Sequence, residues 1–288
     1  MLLSCGGPPL PSASEPNAVP LAGISSGTVG VIRINLKRCT RSGIERWLDE
    51  GAAKVNPFVT RALSACDGLS ALGISTAVLP IPSIEFIPEE LGIYLSGPEG
   101  IDRDAIEEVF LKAGGLNMAG FMAEMAFAKE LGDGWYFYGW GDDGILDDVD
   151  ADRARAFADE LENVKAAIVT AAFITDPNTK FDLTAIPQGE ARAARRLRAL
   201  CAAANEIRAV VVSGGTDDGS EWRIRFTSAD ACDAAKDAVA KAIHDVELMY
   251  EGPNSNADMT TLDLLGWRKL SQEGVIKIEG DCIVVAPT

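Results

Sequence analysis

The sequence predicts an α+β fold of two related halves, each a mainly antiparallel sheet with helices on one face, in a ferredoxin-like or β-β-α arrangement. Three observations lead there. Short apolar runs bounded by Gly and Pro alternate with longer stretches whose apolar residues recur at i, i+3, i+4 and i+7. Gly214–Gly219 and Gly280-Asp281 separate strand-like runs, and these residue types tolerate the positive φ of hairpins, so sequential strands should be antiparallel. Overlaying Phe181 on Trp222, an offset of 41 residues, places Ala193, Ala194 and Ala199 on Ala234, Ala235 and Ala240, with Arg195 on Lys236, a weak internal repeat.

The elements follow in order. Val29–Leu36 reads as a strand, and Arg41–Ala53 presents Ile44, Trp47 and Leu48 on one helical face. Ile74–Ile81 and Leu91–Ser96 read as strands between Gly and Pro. From Asp102 a helix is expected, with Ile106, Val109, Phe110 and Ala113 on one face and acids in its first turn. A further helix is expected over Asn117–Leu131, then the aromatic strand Trp135–Trp140. The second half is expected to run helix Asp152–Val164, strands Ala166–Ile174 and Phe181–Ile186, and helix Gly189–Asn205. Strands Arg208–Ser213 and Glu221–Thr227, helix Ala229–Leu248, a helix near Ala257–Gln272, and the hairpin Val275–Ile278 with Cys282–Val285 complete it. The organisation expected is a disordered tether over residues 1–27, a first half over 28–148 and a second over 149–288, joined through the acidic stretch Gly139–Asp152.

Composition narrows the function classes. With 47% hydrophobic residues and a mean hydropathy of +0.09, the 288-residue chain can bury a sizeable core. No stretch has the length and apolarity of a membrane helix. Lys plus Arg number 26 against 43 Asp plus Glu, a net charge of −17 that repels phosphate backbones, so no nucleic-acid partner is expected. The basic cluster Arg192, Arg195, Arg196 and Arg198 on one predicted helix reads as salt-bridging or solvated charge.

Leu2-Leu3-Ser4-Cys5 at the N-terminus resembles the end of a bacterial lipoprotein signal, in which Leu and a small residue precede the cysteine that receives lipid. The Pro/Ser/Ala-rich stretch after it resembles the flexible linker of such proteins. The resemblance implies lipid attachment at Cys5, a place in the cell envelope facing the periplasm or exterior, and membrane contact only through that anchor. It departs from the pattern upstream, since the basic start and apolar core of a signal have no room before Cys5, and either a gene start lying further upstream or a trimmed chain is expected. With Cys5 lipidated, Cys39, Cys66, Cys201, Cys232 and Cys282 remain, an odd number, and no Cys-x-x-Cys occurs.

Sites with recognisable chemistry are weak. His244 is the single histidine, and with Asp233, Asp237 and Lys241 it falls on the polar side of its helix, opposite Ala235, Ala238, Val239, Ala242 and Val246. Gly139-Trp-Gly-Asp-Asp-Gly144 has Gly-x-Gly-x-x-Gly spacing, but Asp142 and Asp143 would meet the pyrophosphate, so no cofactor is expected there; nor does any Gly-Lys pair supply a phosphate loop. Asp148, Asp150, Asp152 and Asp159 have calcium-loop spacing, but Arg153 replaces the turn glycine and a helix has already begun, so capping is the ordinary reading. Trp135, Tyr136, Tyr138 and Trp140, with Phe137, read either as core or as a platform for a sugar or peptide. Met118, Met122 and Met125 with Phe121 form a stripe of the same two-sided kind.

No catalytic residue is identified. The functional expectation is a non-enzymatic envelope module binding a protein, peptide or glycan, against a carboxylate-dependent hydrolase or a cytoplasmic scaffold. The hydrolase requires two carboxyls facing one another in a cleft, and the binding module an exposed apolar or aromatic surface.

Overall fold

A computed structural model describes residues 19–20, 23–43, 57–82, 91–113, 127–140, 149–162, 164, 167–176, 180, 183–184, 192–216, 219–250 and 274–287; within these, the side chains of 57–60, 91, 140, 192–197, 216 and 244–250 are not described. The chain divides into two units, Met1–Lys37 with Arg61–Asn163 and Arg38–Thr60 with Val164–Thr288.

The first unit holds β1 (Thr28–Asn35), β2 (Thr76–Pro82), β3 (Leu91–Ser96), β4 (Phe127–Gly132) and β5 (Trp135–Trp140). Its helices are α1 (Pro57–Ala71), most of which belongs to it, α2 (Arg103–Lys112) and α3 (Ala151–Glu162). The strands pair antiparallel in the order β4-β5-β3-β2-β1. A ferredoxin-like layout would set the strands flanking the first helix parallel and apart. Here β1 and β2 are direct antiparallel neighbours, so the layout is a different one. Pro80 and Pro82 lie in the half of β2 that pairs with β1 alone, because β3 reaches only Thr76–Val78. A residue without an N–H cannot serve a ladder on both sides.

Asp102 caps α2, accepting a hydrogen bond from the Asp104 N–H at 3.1 Å, and Ile106 and Phe110 are buried as the i, i+4 pattern requires. The helix expected through Leu131 is corrected, because Phe127–Gly132 is the strand β4. Gly132, Asp133 and Gly134 all take positive φ and turn that strand back onto β5. Ala, Lys, Glu and Leu are good helix formers, but the preference is at most about a few tenths of a kcal/mol per residue, and pairing with an aromatic strand outweighs it. Residues 117–126, with Met118, Phe121, Met122 and Met125, lie outside the described residues.

The end of the expected tether is packed, since Val19 is 2% exposed and Ile24 is fully buried. The Asp150 N–H donates to the Ile24 carbonyl at 2.8 Å, and Arg153 Nε donates to the Thr28 carbonyl, tying this segment to the start of α3. Ala154, Phe157, Ala158 and Leu161 supply the buried face of α3 at i, i+3, i+4 and i+7.

The second unit holds β6 (Val169–Ile174), α4 (Arg192–Ala204), β7 (Ile207–Thr216), β8 (Gly219–Phe226), α5 (Ala229–Tyr250), β9 (Gly274–Glu279) and β10 (Cys282–Pro287). Its strands are antiparallel in the order β6-β7-β8-β10-β9. Leu183 and Thr184 form a turn, so the expected tandem of β-β-α units anchored on a strand at Phe181–Ile186 does not hold, and Phe181 itself lies outside the described residues. Phe226, Cys232, Ala235, Ile283 and Val285 form the core between α5 and the sheet. Full burial of Phe226 contributes about 2–3 kcal/mol.

Candidate functional site: an apolar pocket in the second unit

Helices α4 and α5 pack against each other and lie over one face of the second unit's sheet. Both are rich in Ala, which favours helix and adds little side-chain volume. Ser228 starts α5, its Oγ accepting from the Ala231 N–H at 3.1 Å. Strand alternation turns Trp222 and Ile224 of β8 toward the helices, and pairing sets Val285 of β10 opposite Trp222 and Ile283 opposite Ile224.

A pocket of about 280 Å³ opens between these layers. Leu200, Ala203 and Ala204 line it from α4, and Val239, Ala242 and Ile243 from α5. Its floor is Ile207, Trp222, Ile224 and Val285. Every lining residue is apolar. Leu200, Trp222, Ile224 and Ile243 are only half-buried, so the pocket communicates with solvent. Such a surface gains free energy by covering apolar groups, and a hydroxyl or charge placed in it would lose its hydrogen bonds to water.

The opposite side of the same strands is charged. Arg223 bridges two carboxylates, reaching Glu221 Oε1 at 3.1 Å and Glu279 Oε2 at 3.1 Å, and Arg225 stands 3.7 Å from Asp281. Burial pulls the Arg223 guanidinium down, but the hydrogen bond and charge of Glu221, with the charges of Cys282 and Glu279, outweigh it and the net shift is upward. Burial pushes the Cys282 thiol up, against the opposing pull of Arg223 and Arg225, and burial likewise raises Cys232. Two raised, buried thiols are poor nucleophiles. Glu221 and Glu279 share one guanidinium between them, an ion-pair network rather than two carboxyls confronting each other across a cleft.

The sequence candidates lie elsewhere. Trp135, Tyr136 and Tyr138 are 8%, 0% and 3% exposed, with Phe137 at 1%, so β5 is core on both faces and these side chains form no shallow platform. The Tyr138 ring stacks on Phe110 at 4.0 Å, and Phe137 packs at 5.3 Å from Tyr94. Trp140 ends the strand, its side chain outside the description. The acidic set is spread along a helix. Asp150 Oδ1 accepts from the Arg153 N–H at 2.9 Å as the cap of α3, and Asp152 pairs with Arg155 at 3.0 Å. Nine residues of helical rise separate Asp150 from Asp159 by about 13 Å, too far to share one ion. Asp148, Cys5 and Asp142–Asp143 lie outside the described residues, as does the His244 side chain. Among the described helices none is long and apolar enough to cross a membrane.

No family model, no curated protein and no solved structure matches this chain.

Proposed function

We propose that this chain is a non-enzymatic binding module of the bacterial cell envelope, tethered through lipid on Cys5, that takes an apolar group of a partner protein or peptide into the pocket between α4 and α5. The all-apolar lining carries this reading. A glycan fits poorly, because its hydroxyls would be left without partners there. The test is thermal unfolding of the whole chain with short alcohols, small aromatic compounds and a disaccharide. Apolar compounds raise the Tm in proportion to the logarithm of their concentration, the disaccharide does not, and Ile243→Asp abolishes the effect. Absence of any apolar ligand that shifts the Tm would remove the pocket from the function. The anchor is tested separately by labelling bacteria with radioactive palmitate, where Cys5→Ser loses the label.

The two units are, on this reading, two copies of one β-α-β-β-α-β-β module. Support comes from the strand orders, in which β1-β2-β3-β5-β4 and β6-β7-β8-β10-β9 have the same connectivity. The last hairpins agree as well: two-residue turns, Asp133-Gly134 and Gly280-Asp281, join β4 to β5 and β9 to β10.

A further inference from the structure

We infer that the pocket of the second unit is a socket for one aromatic ring system, the place that Tyr138 fills from within in the first unit; this rests on the pocket being the binding site and names what enters it. Counted from the hairpin, the first cross-strand pair is Gly132 with Trp135 in one unit and Glu279 with Cys282 in the other. Three residues on stand Tyr138 and Val285, paired respectively with Ile93 of β3 and Trp222 of β8. Two residues nearer the turn, on the same face, Tyr136 corresponds to Ile283. The first unit thus puts two tyrosines where the second has Ile and Val, and it caps Tyr138 with the Phe110 ring, stacked 4.0 Å away with an interplanar angle of 2°. Trp222 in place of Ile93 restores only part of the missing volume. From the helices, three of the six lining residues are alanines, Ala203, Ala204 and Ala242, which add little volume beside Leu200, Val239 and Ile243.

Size and shape agree. An apolar cavity of about 150 Å³ holds one benzene, so 280 Å³ holds a group of about eleven carbon-sized atoms, the size of a bicyclic ring. The lining spans one turn on each helix and two residues along β8, about 5–7 Å along the elements, and it crosses the three neighbouring strands β7, β8 and β10, about 10 Å. A flat bicyclic ring laid against Trp222 fills both dimensions, whereas an alkyl chain is a single file of carbons that would leave the width of such a space unfilled. The experiment uses the whole chain with labelled Ile and Val methyls, titrated with indole, N-acetyl-tryptophanamide and decanoate. Indole is expected to move the Ile224, Ile243 and Val285 methyls and to bind at least tenfold tighter than decanoate. If the capped amino acid binds comparably, the ring is a side chain of a partner; if indole alone binds, it is a free small aromatic. Val285→Phe, which supplies a ring from within, is expected to raise the Tm and weaken indole at least tenfold; Ala203→Leu gives the same reading should the first variant not fold. Decanoate binding as tightly as indole, or both variants folding with undiminished indole affinity, would overturn the aromatic socket while leaving an apolar binding site. Failure of all three probes would overturn both.

Discussion

Tyr136→Phe removes one oxygen atom from the centre of the first unit and tests whether β5 is scaffold or binding surface. The Tyr136 side chain is fully buried, and its hydroxyl donates to the Pro98 carbonyl at 2.7 Å while accepting from the Ile101 N–H at 2.9 Å. Those two bonds hold the loop that delivers the chain to the capped start of α2. Each such bond is worth about 1 kcal/mol net, and unsatisfied buried partners cost more. Pro98 is exposed enough for water to replace part of the loss, so the expected destabilisation is about 2 kcal/mol. In a unit of this size that lowers the Tm by about 6 °C. Thermal unfolding followed by near-ultraviolet circular dichroism measures it, and amide exchange at Ile101 should speed up about thirtyfold if local opening dominates. A Tm change below about 1 °C with Ile101 protection intact would refute the assignment of Tyr136 to the scaffold.

Gly92→Ala should destabilise the first unit by about 1–3 kcal/mol in urea unfolding, because a Cβ there would fall 2.2 Å from Phe137 Cε2 and 2.7 Å from the Tyr138 carbonyl oxygen, contacts that only movement of β5 can relieve. Asp150→Ala should cost about 1 kcal/mol by uncapping α3, and millimolar calcium should leave the Tm of the parent protein unchanged, as a cap rather than an ion site requires. The raised Cys232 and Cys282 thiols keep their protons in the folded chain above the ordinary value of 9.0, so their stabilisation is full below about pH 9 and is lost as the pH rises through it. Tyr138, raised from 10.0 by burial and then by the Glu107 charge, acts in the same direction. The urea midpoint should therefore hold up to about pH 9 and fall as the pH rises above it, and Cys232→Ala with Cys282→Val should flatten the fall; an unchanged midpoint in the parent above about pH 9 contradicts it.

Strands and helices were legible wherever local signal and tertiary use agreed. Asp102 with Ile106 and Phe110 marked α2, and Gly280-Asp281 between apolar runs marked the last hairpin, because capping and turn chemistry act within a few residues. Phe127–Gly132 reads as helix in isolation because its strand character comes from its neighbour: Lys129 and Glu130 lie opposite Phe137 and Tyr136, a pairing that no single-segment pattern displays. The order β1-β2-β3-β5-β4 was equally hidden, since the sequence shows the succession of strands and not which of them meet across a helix.

The pocket is hidden in the sequence for a different reason. Sequence motifs mark groups that are present, such as carboxylates, histidine, thiols or aromatic rings, and the aromatic strand among them is buried core. A cavity is a deficit of volume. Its only trace in the sequence is Ala202-Ala203-Ala204 and the alanines of α5 facing strands whose inward residues are Ile283 and Val285. Small residues on facing layers ordinarily let the layers approach until the gap closes. Here the gap stays open, and Trp222 offers a reason, because one large side chain on β8 keeps α4 and α5 away from the smaller residues beside it. On that view Trp222 is both a wall of the pocket and its spacer. Trp222→Ala should then either collapse the helices onto the sheet or enlarge the void at about 3–5 kcal/mol, and nuclear Overhauser contacts between the Ile243 and Val285 methyls distinguish the two: a stronger contact with loss of indole binding supports the spacer role, and an unchanged contact with tighter uptake of larger rings refutes it.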